Sequence, residues 1–152
     1  MKILDVLSQD AILTDLKATD KRSVIEELSA PLAAIGNLDH SELVRVLQER
    51  ERLGSTGIGK GIGIPHGKLP ALDKLLLGFG ISRLGVDFES MDRQPTHLFF
   101  LLLTPENTAG LHLRLLARIS RLLKDDVFRD QLVKARDADE VTGIIQPVDE
   151  EF

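Results

Sequence analysis

The sequence predicts an α/β fold, a three-layer α/β/α sandwich around a mixed central sheet of about four to five strands. Two observations carry this. Residues 98–103, LFFLLL, are apolar without alternation, the pattern of a central strand covered on both faces. Strand-like and helix-like segments also intersperse along the chain, so helices are available for both faces of one sheet. With 152 residues, 43% of them apolar and 28% charged, the chain has the length and composition of one domain with a real core. That domain is placed at residues 1–147, with 148–152 read as an acidic, frayed tail.

Taken in order, residues 11–16 read as a short strand. Asp20 caps a helix running to about Gly36, with Val24, Ile25, Leu28, Leu32 and Ile35 on one face. Pro31 falls inside that pattern and is expected to kink or divide it. Asp39 followed by Glu42 resembles a capping box opening a second helix, with Leu43, Val44 and Leu47 inward. Arg50 and Arg52 lie in its last turn, favourable beside the negative end of the helix dipole. Residues 54–67 read GSTGIGKGIGIPHG, with glycines at 54, 57, 59, 61, 63 and 67. The end of this segment alternates Ile62 and Ile64 with glycine, as a strand stopping at Pro65. Residues 75–82 and 98–103 are strands, and Thr104-Pro105 ends the second. A long helix follows over about 107–124, then shorter ones over 126–135 and 137–145.

Composition excludes several function classes. A net charge of -5 argues against nucleic-acid binding, which needs a basic face. No cysteine is present, so disulfides and thiolate metal sites are ruled out. The N-terminus does not read as a secretory signal, and the longest apolar run is too short for a bilayer span. A cytoplasmic protein without membrane insertion is expected.

Chemistry concentrates in the glycine-rich run. Gly54-x-x-x-x-Gly59-Lys60 matches most of a nucleotide phosphate loop, but Gly61 stands where Ser or Thr would hold magnesium. Such a loop must also open a helix, and this one runs into Ile-Gly-Ile-Pro-His-Gly. His66 is better placed, between Pro65 and Gly67 at a strand end, where α/β sheets build ligand sites. Imidazole is uncharged and nucleophilic near neutral pH; the alternative is a structural loop histidine. His112 falls within the apolar stripe of Leu111, Leu115, Leu116, Ile119, Leu122 and Leu123, in the first turns of the long helix. A histidine there is either a satisfied core residue or, with the helix N-terminus and His66, part of an anion site. His40 and His97 read as surface or packing residues. No HxxxH spacing supports zinc.

The segment from Glu51 to Gly67 resembles the phosphorylation-site motif of enzyme IIA domains of the bacterial phosphoenolpyruvate-dependent phosphotransferase system, of the fructose–mannitol class. Glu51 stands at the leading position, which takes an acid or an amide, and Ile58-Gly59 as the apolar-small pair. Ile62-Gly63-Ile64-Pro65-His66-Gly67 stands as the apolar–Ala–apolar–Pro–His–small run, with Gly63 departing from the usual Ala. Arg50-Glu51, Gly85-Val86-Asp87-Phe88, the Asp92-x-x-Pro95 turn and Leu111-His112-Leu113 are also family-like, so the resemblance spans nearly the whole chain. The Gly-Val-Asp-Phe segment and the lack of fused permease domains look most like the nitrogen-regulatory branch.

The resemblance implies a phosphotransferase component working through a phosphohistidine. His66 would be the phosphorylated nucleophile, His112 would hydrogen-bond the phosphoryl oxygens, and Arg50 would neutralise their charge. Ser55 and Thr56 could add donors from the loop. The donor would be a histidine phosphocarrier protein; the acceptor would be regulatory protein targets or, in a sugar-specific role, an enzyme IIB. No cofactor or metal is implied, because the donor is already a phosphoprotein. Attack needs neutral His66, so acceptance should fall below roughly pH 6 if its pKa is ordinary.

Overall fold

A computed structural model describes residues 1–149. The chain begins with a four-residue helix, α1 (Ile3–Val6), and a strand, β1 (Leu7–Leu13). Two helices follow, α2 (Lys21–Gly36) and α3 (His40–Arg52). The glycine-rich segment forms three short strands, β2 (Gly57–Gly59), β3 (Ile62–Gly63) and β4 (His66–Lys68). Two long strands, β5 (Leu76–Val86) and β6 (Thr96–Thr104), precede α4 (Ala109–Leu122), α5 (Asp126–Lys134) and α6 (Ala138–Asp149).

The sheet is mixed and six-stranded, in the order β1-β5-β6-β3-β2, with β4 also paired to β6. It exceeds the expected four to five strands because the glycine-rich run breaks into pieces rather than forming one strand. β3 and β4 lie one after the other along the same edge of β6, parallel to it, with Ile62 opposite Leu98 and His66 opposite Leu102. The break falls at Ile64-Pro65, where proline has no N–H to give the ladder.

β6 is the centre of the fold. Leu98, Phe100 and Leu102 face a core shared with α4, α5 and α6, while Phe99, Leu101 and Leu103 face a core shared with α2 and α3. Its apolar run without alternation therefore fills both layers, as expected of a doubly covered strand.

Several elements depart from the sequence expectations. The first strand lies at Leu7–Leu13 rather than 11–16, and α1 precedes it. Pro31 does not divide α2, which continues to Gly36. Val24, Ile25, Leu28 and Leu32 on that helix are fully buried, so tertiary packing outweighs the lost hydrogen bond. Ile35 is at the exposed margin instead of the buried face. At α3, Asp39 accepts the N–H of Glu42 as expected, but the Glu42 carboxylate engages Arg45 rather than turning back. The tail does not fray from 148: α6 runs through Pro147 to Asp149, which is 1% exposed. Its carboxylate accepts the N–H groups of Ile3 at 2.8 Å and Leu4 at 2.9 Å, and lies 3.2 Å from Arg118. The rest of the expected tail, 150–152, lies outside the described residues.

Candidate phosphoryl-transfer site

Three elements meet at one cleft. The C-terminal turn of α3 brings Val46 and Arg50, β4 brings His66, Gly67 and Lys68, and the first turns of α4 bring His112 and Leu113. The cleft measures about 350 Å³. A larger groove of about 660 Å³ lies between α5 and α6, but it carries no imidazole and no arginine.

Each imidazole is held by one ring nitrogen. His66 Nδ1 lies 2.8 Å from the carbonyl oxygen of Ile64. A carbonyl only accepts, so Nδ1 carries the proton and Nε2 keeps a free lone pair. The backbone that holds Ile64 is itself fixed: its N–H donates to Thr56 O at 3.0 Å, and Pro65 O accepts from Leu102 N–H at 3.0 Å. His112 Nδ1 pairs at 3.0 Å with the hydroxyl of Thr104, the last residue of β6. The two rings meet edge-on, with centroids 5.2 Å apart.

Burial holds His66 below the ordinary imidazole pKa of 6.5. The Ile64 carbonyl and Glu51 work against that shift, and the Arg50 charge adds to it. His112 is pushed down to about 4, first by burial and then by the charges of His66 and Lys68. Both rings are therefore neutral at pH 7, in a cleft whose fixed charges, Arg50 and Lys68, are positive. That is an arrangement for a bare nucleophilic nitrogen and an incoming anion.

The family model described as phosphoenolpyruvate-dependent sugar phosphotransferase system, EIIA 2, matches residues 5–147. The chain belongs to this family. EIIA 2 relatives of both functional kinds resemble it. A nitrogen regulatory protein of Bradyrhizobium diazoefficiens is 42% identical over 95% of each chain. A fructose-specific EIIABC component of Bacillus subtilis is 37% identical over 98% of this chain, which covers 24% of that longer protein. The crystal structure of nitrogen regulatory protein IIA-Ntr from Neisseria meningitidis superposes with a TM-score of 0.88 at 33% identity, covering 93% of this chain and 97% of that one.

Of the residues anticipated for an EIIA 2 site, the fold brings His66, His112 and Arg50 to one cleft. Arg50 donates to Gly54 O at 2.9 Å, which pins its guanidinium beside the loop. Ser55 and Thr56 are not brought to it. The Ser55 hydroxyl donates to Phe88 O at 2.9 Å and accepts the N–H of Gly57, while that of Thr56 donates to Glu51. Both hydroxyls are committed to holding the loop. His66 also opens β4 rather than closing a longer strand. The glycine-rich run leads into a strand and not a helix, the reverse of a nucleotide loop. His40, exposed, is bound to Ser29 and Glu26 O, and His97, half-buried, to Ser82 O.

Lys68 is the lining cation that motif reasoning missed. The signal was there: two residues beyond His66 on a strand, it shares the face of His66. Glu51, quoted only as the acid that opens the motif, is 8% exposed and ion-paired to Lys21 at 2.8 Å.

Proposed function

We propose that this EIIA 2 chain is a phosphocarrier that accepts a phosphoryl group on Nε2 of His66 from a histidine phosphocarrier protein, with a nitrogen-regulatory output. The observation that carries this reading is the single hydrogen bond from His66 Nδ1 to Ile64 O, which leaves Nε2 as the bare nitrogen of a ring lining a cationic cleft. The Nε2 lone pair attacks phosphorus in line as the bond from phosphorus to the donor's ring nitrogen breaks, and the donor ring keeps that electron pair. The product ring bears the phosphoryl group on Nε2 and its proton on Nδ1. Its positive charge then faces the Ile64 carbonyl. Arg50 and Lys68 balance the phosphoryl oxygens, and His112 orients them.

Transfer onward returns the ring to its starting state, with regulatory proteins reading the charge on His66 meanwhile. The cytoplasm, where phosphoenolpyruvate is made, is the compartment proposed. The test is intact-protein mass spectrometry after mixing the chain with phosphoenolpyruvate, enzyme I and the histidine phosphocarrier protein. One acid-labile phosphoryl group is expected on wild type and none on His66→Ala. Phosphate on the variant would overturn the site.

A second reading has one observation in its favour, the 37% identity to the fructose-specific EIIABC component. In it the acceptor is an enzyme IIB. Rapid transfer from the phosphorylated chain to a fructose- or mannitol-type EIIB domain would favour that role, and its absence the regulatory one.

A further inference from the structure

We propose that Glu51 is a positioning residue for phosphoryl acceptance, fixing the ring and tautomer of His66 through a hydrogen-bonded path across the glycine-rich loop. The inference rests on the reading of His66 as the acceptor.

The path is continuous. Lys21 Nζ, on α2, lies 2.8 Å from Glu51 Oε2 and 5.0 Å over the Phe88 ring. The Thr56 N–H donates to the same carboxylate oxygen at 3.0 Å, and the Thr56 hydroxyl donates to the other. The Thr56 carbonyl accepts the N–H of Ile64 at 3.0 Å. The Ile64 carbonyl accepts His66 Nδ1–H at 2.8 Å. Each link fixes where the next group sits, and the last decides which ring nitrogen is protonated.

The chemistry of Glu51 is specific to this task. Buried carboxylates are rare unless paired, because desolvation penalises the charge. Here three donors converge on one carboxylate at the end of α3; an amide would hold the same places only with the Thr56 hydroxyl turned to accept, and without the charge that faces Lys21. Glu51 and Arg50, adjacent in sequence, also hold the two ends of the same loop: Arg50 takes Gly54 O and Glu51 takes Thr56. Loosening Glu51 therefore frees the anchor of the phosphoryl-facing arginine as well as that of the histidine. Pro65 makes the mechanism stiff. Its φ is fixed, so a displaced Ile64 carbonyl carries the His66 ring with it.

The test compares wild type with Glu51→Gln, Thr56→Val and the conservative Thr56→Ser. Three quantities are read: the ¹⁵N shifts of the His66 ring, the rate of phosphoryl acceptance against donor concentration, and Tm. For Glu51→Gln the ring shifts should move toward a tautomer mixture. Its maximal rate should fall about tenfold with the donor KM held within about twofold, as a misplaced nucleophile rather than a lost docking contact requires. Thr56→Val should show a weaker version of both changes and Thr56→Ser should match wild type. Lower Tm with unchanged tautomer and unchanged rate in both Glu51→Gln and Thr56→Val would overturn the proposal and leave Glu51 as structural. If Glu51→Gln does not fold, Thr56→Val decides alone. If wild type takes no phosphoryl group on His66, the acceptor reading fails, while the ring shifts still decide whether Glu51 sets the tautomer.

Discussion

The His112 ring stands edge-on to the His66 ring, 5.2 Å between centroids and 64° between planes, and both are tied down at Nδ1. Two imidazoles so close cannot both be protonated without mutual repulsion, and burial keeps both neutral. An arriving phosphoryl group places negative charge against them and makes donation from His112 favourable. Replacing His112 with Ala should therefore slow acceptance about 100-fold without abolishing it, as loss of one preorganised donor does. Quench-flow measurement of acid-labile phosphate checks this. Acceptance at the wild-type rate would remove His112 from the site.

The pH profile should differ from that of free histidine. Acceptance requires neutral His66, whose pKa is held down mainly by burial. The rate should therefore hold to lower pH than an ordinary imidazole would allow, so the fall expected below roughly pH 6 moves downward. Stability follows the same sign. A histidine with a depressed folded pKa binds protons more readily when unfolded, so stability is full above about pH 6.5. For His112 that stability is lost as pH falls toward about 4. Denaturant titrations at pH 7.5 and 5 should show the loss in wild type and a smaller one in His112→Gln.

Gly63, where the family pattern has alanine, is explained by its partner on β6. A Cβ there would lie 3.1 Å from two ring carbons of Phe99 and 3.3 Å from the Thr96 methyl. Restoring the family residue with Gly63→Ala should destabilise this chain by about 1 kcal/mol or more, because the core must give way. Adding Phe99→Leu should recover part of that loss, giving a non-additive double-mutant cycle. Urea unfolding of the four proteins provides the measurement; strict additivity would mean Phe99 is not the obstacle.

What the sequence made legible was local. The run from Leu98 to Leu103 declared a central strand, and the stripe through Leu115, Ile119 and Leu123 declared α4. With those two placed, His66 and His112 stood at element ends. What it hid was non-local. The splitting of the glycine-rich run depends on which stretch of β6 each piece meets, and Ile62 and His66 find Leu98 and Leu102 across 36 residues in each case. Ser55 and Thr56 looked available because their partners, Phe88 and Glu51, are set by the folded loop. The burial of Asp149 could not be read from an acidic C-terminal stretch, since Ile3 and Leu4 supply the donors.

That contact predicts a stability effect. Asp149→Ala leaves two backbone N–H groups, one of them buried, without their acceptor, at a cost of about 2 kcal/mol. For a chain of this size that corresponds to a fall in Tm of roughly 4–8 °C. Thermal unfolding checks it, and Asp149→Asn, which keeps an acceptor oxygen, should lose less. An unchanged Tm in Asp149→Ala would mean solvent satisfies those groups.

Fastened at Asp149, the backbone enters and leaves the domain at one place. A unit of this kind can be spliced beside another domain on either flank without stretching, or cut at a surface loop and rejoined where its first turn already meets Asp149. The same closure makes unravelling from one end a matter for both, since the last helix cannot peel away without releasing the first turn. The domain thus behaves as a cassette, self-sealed at the seam.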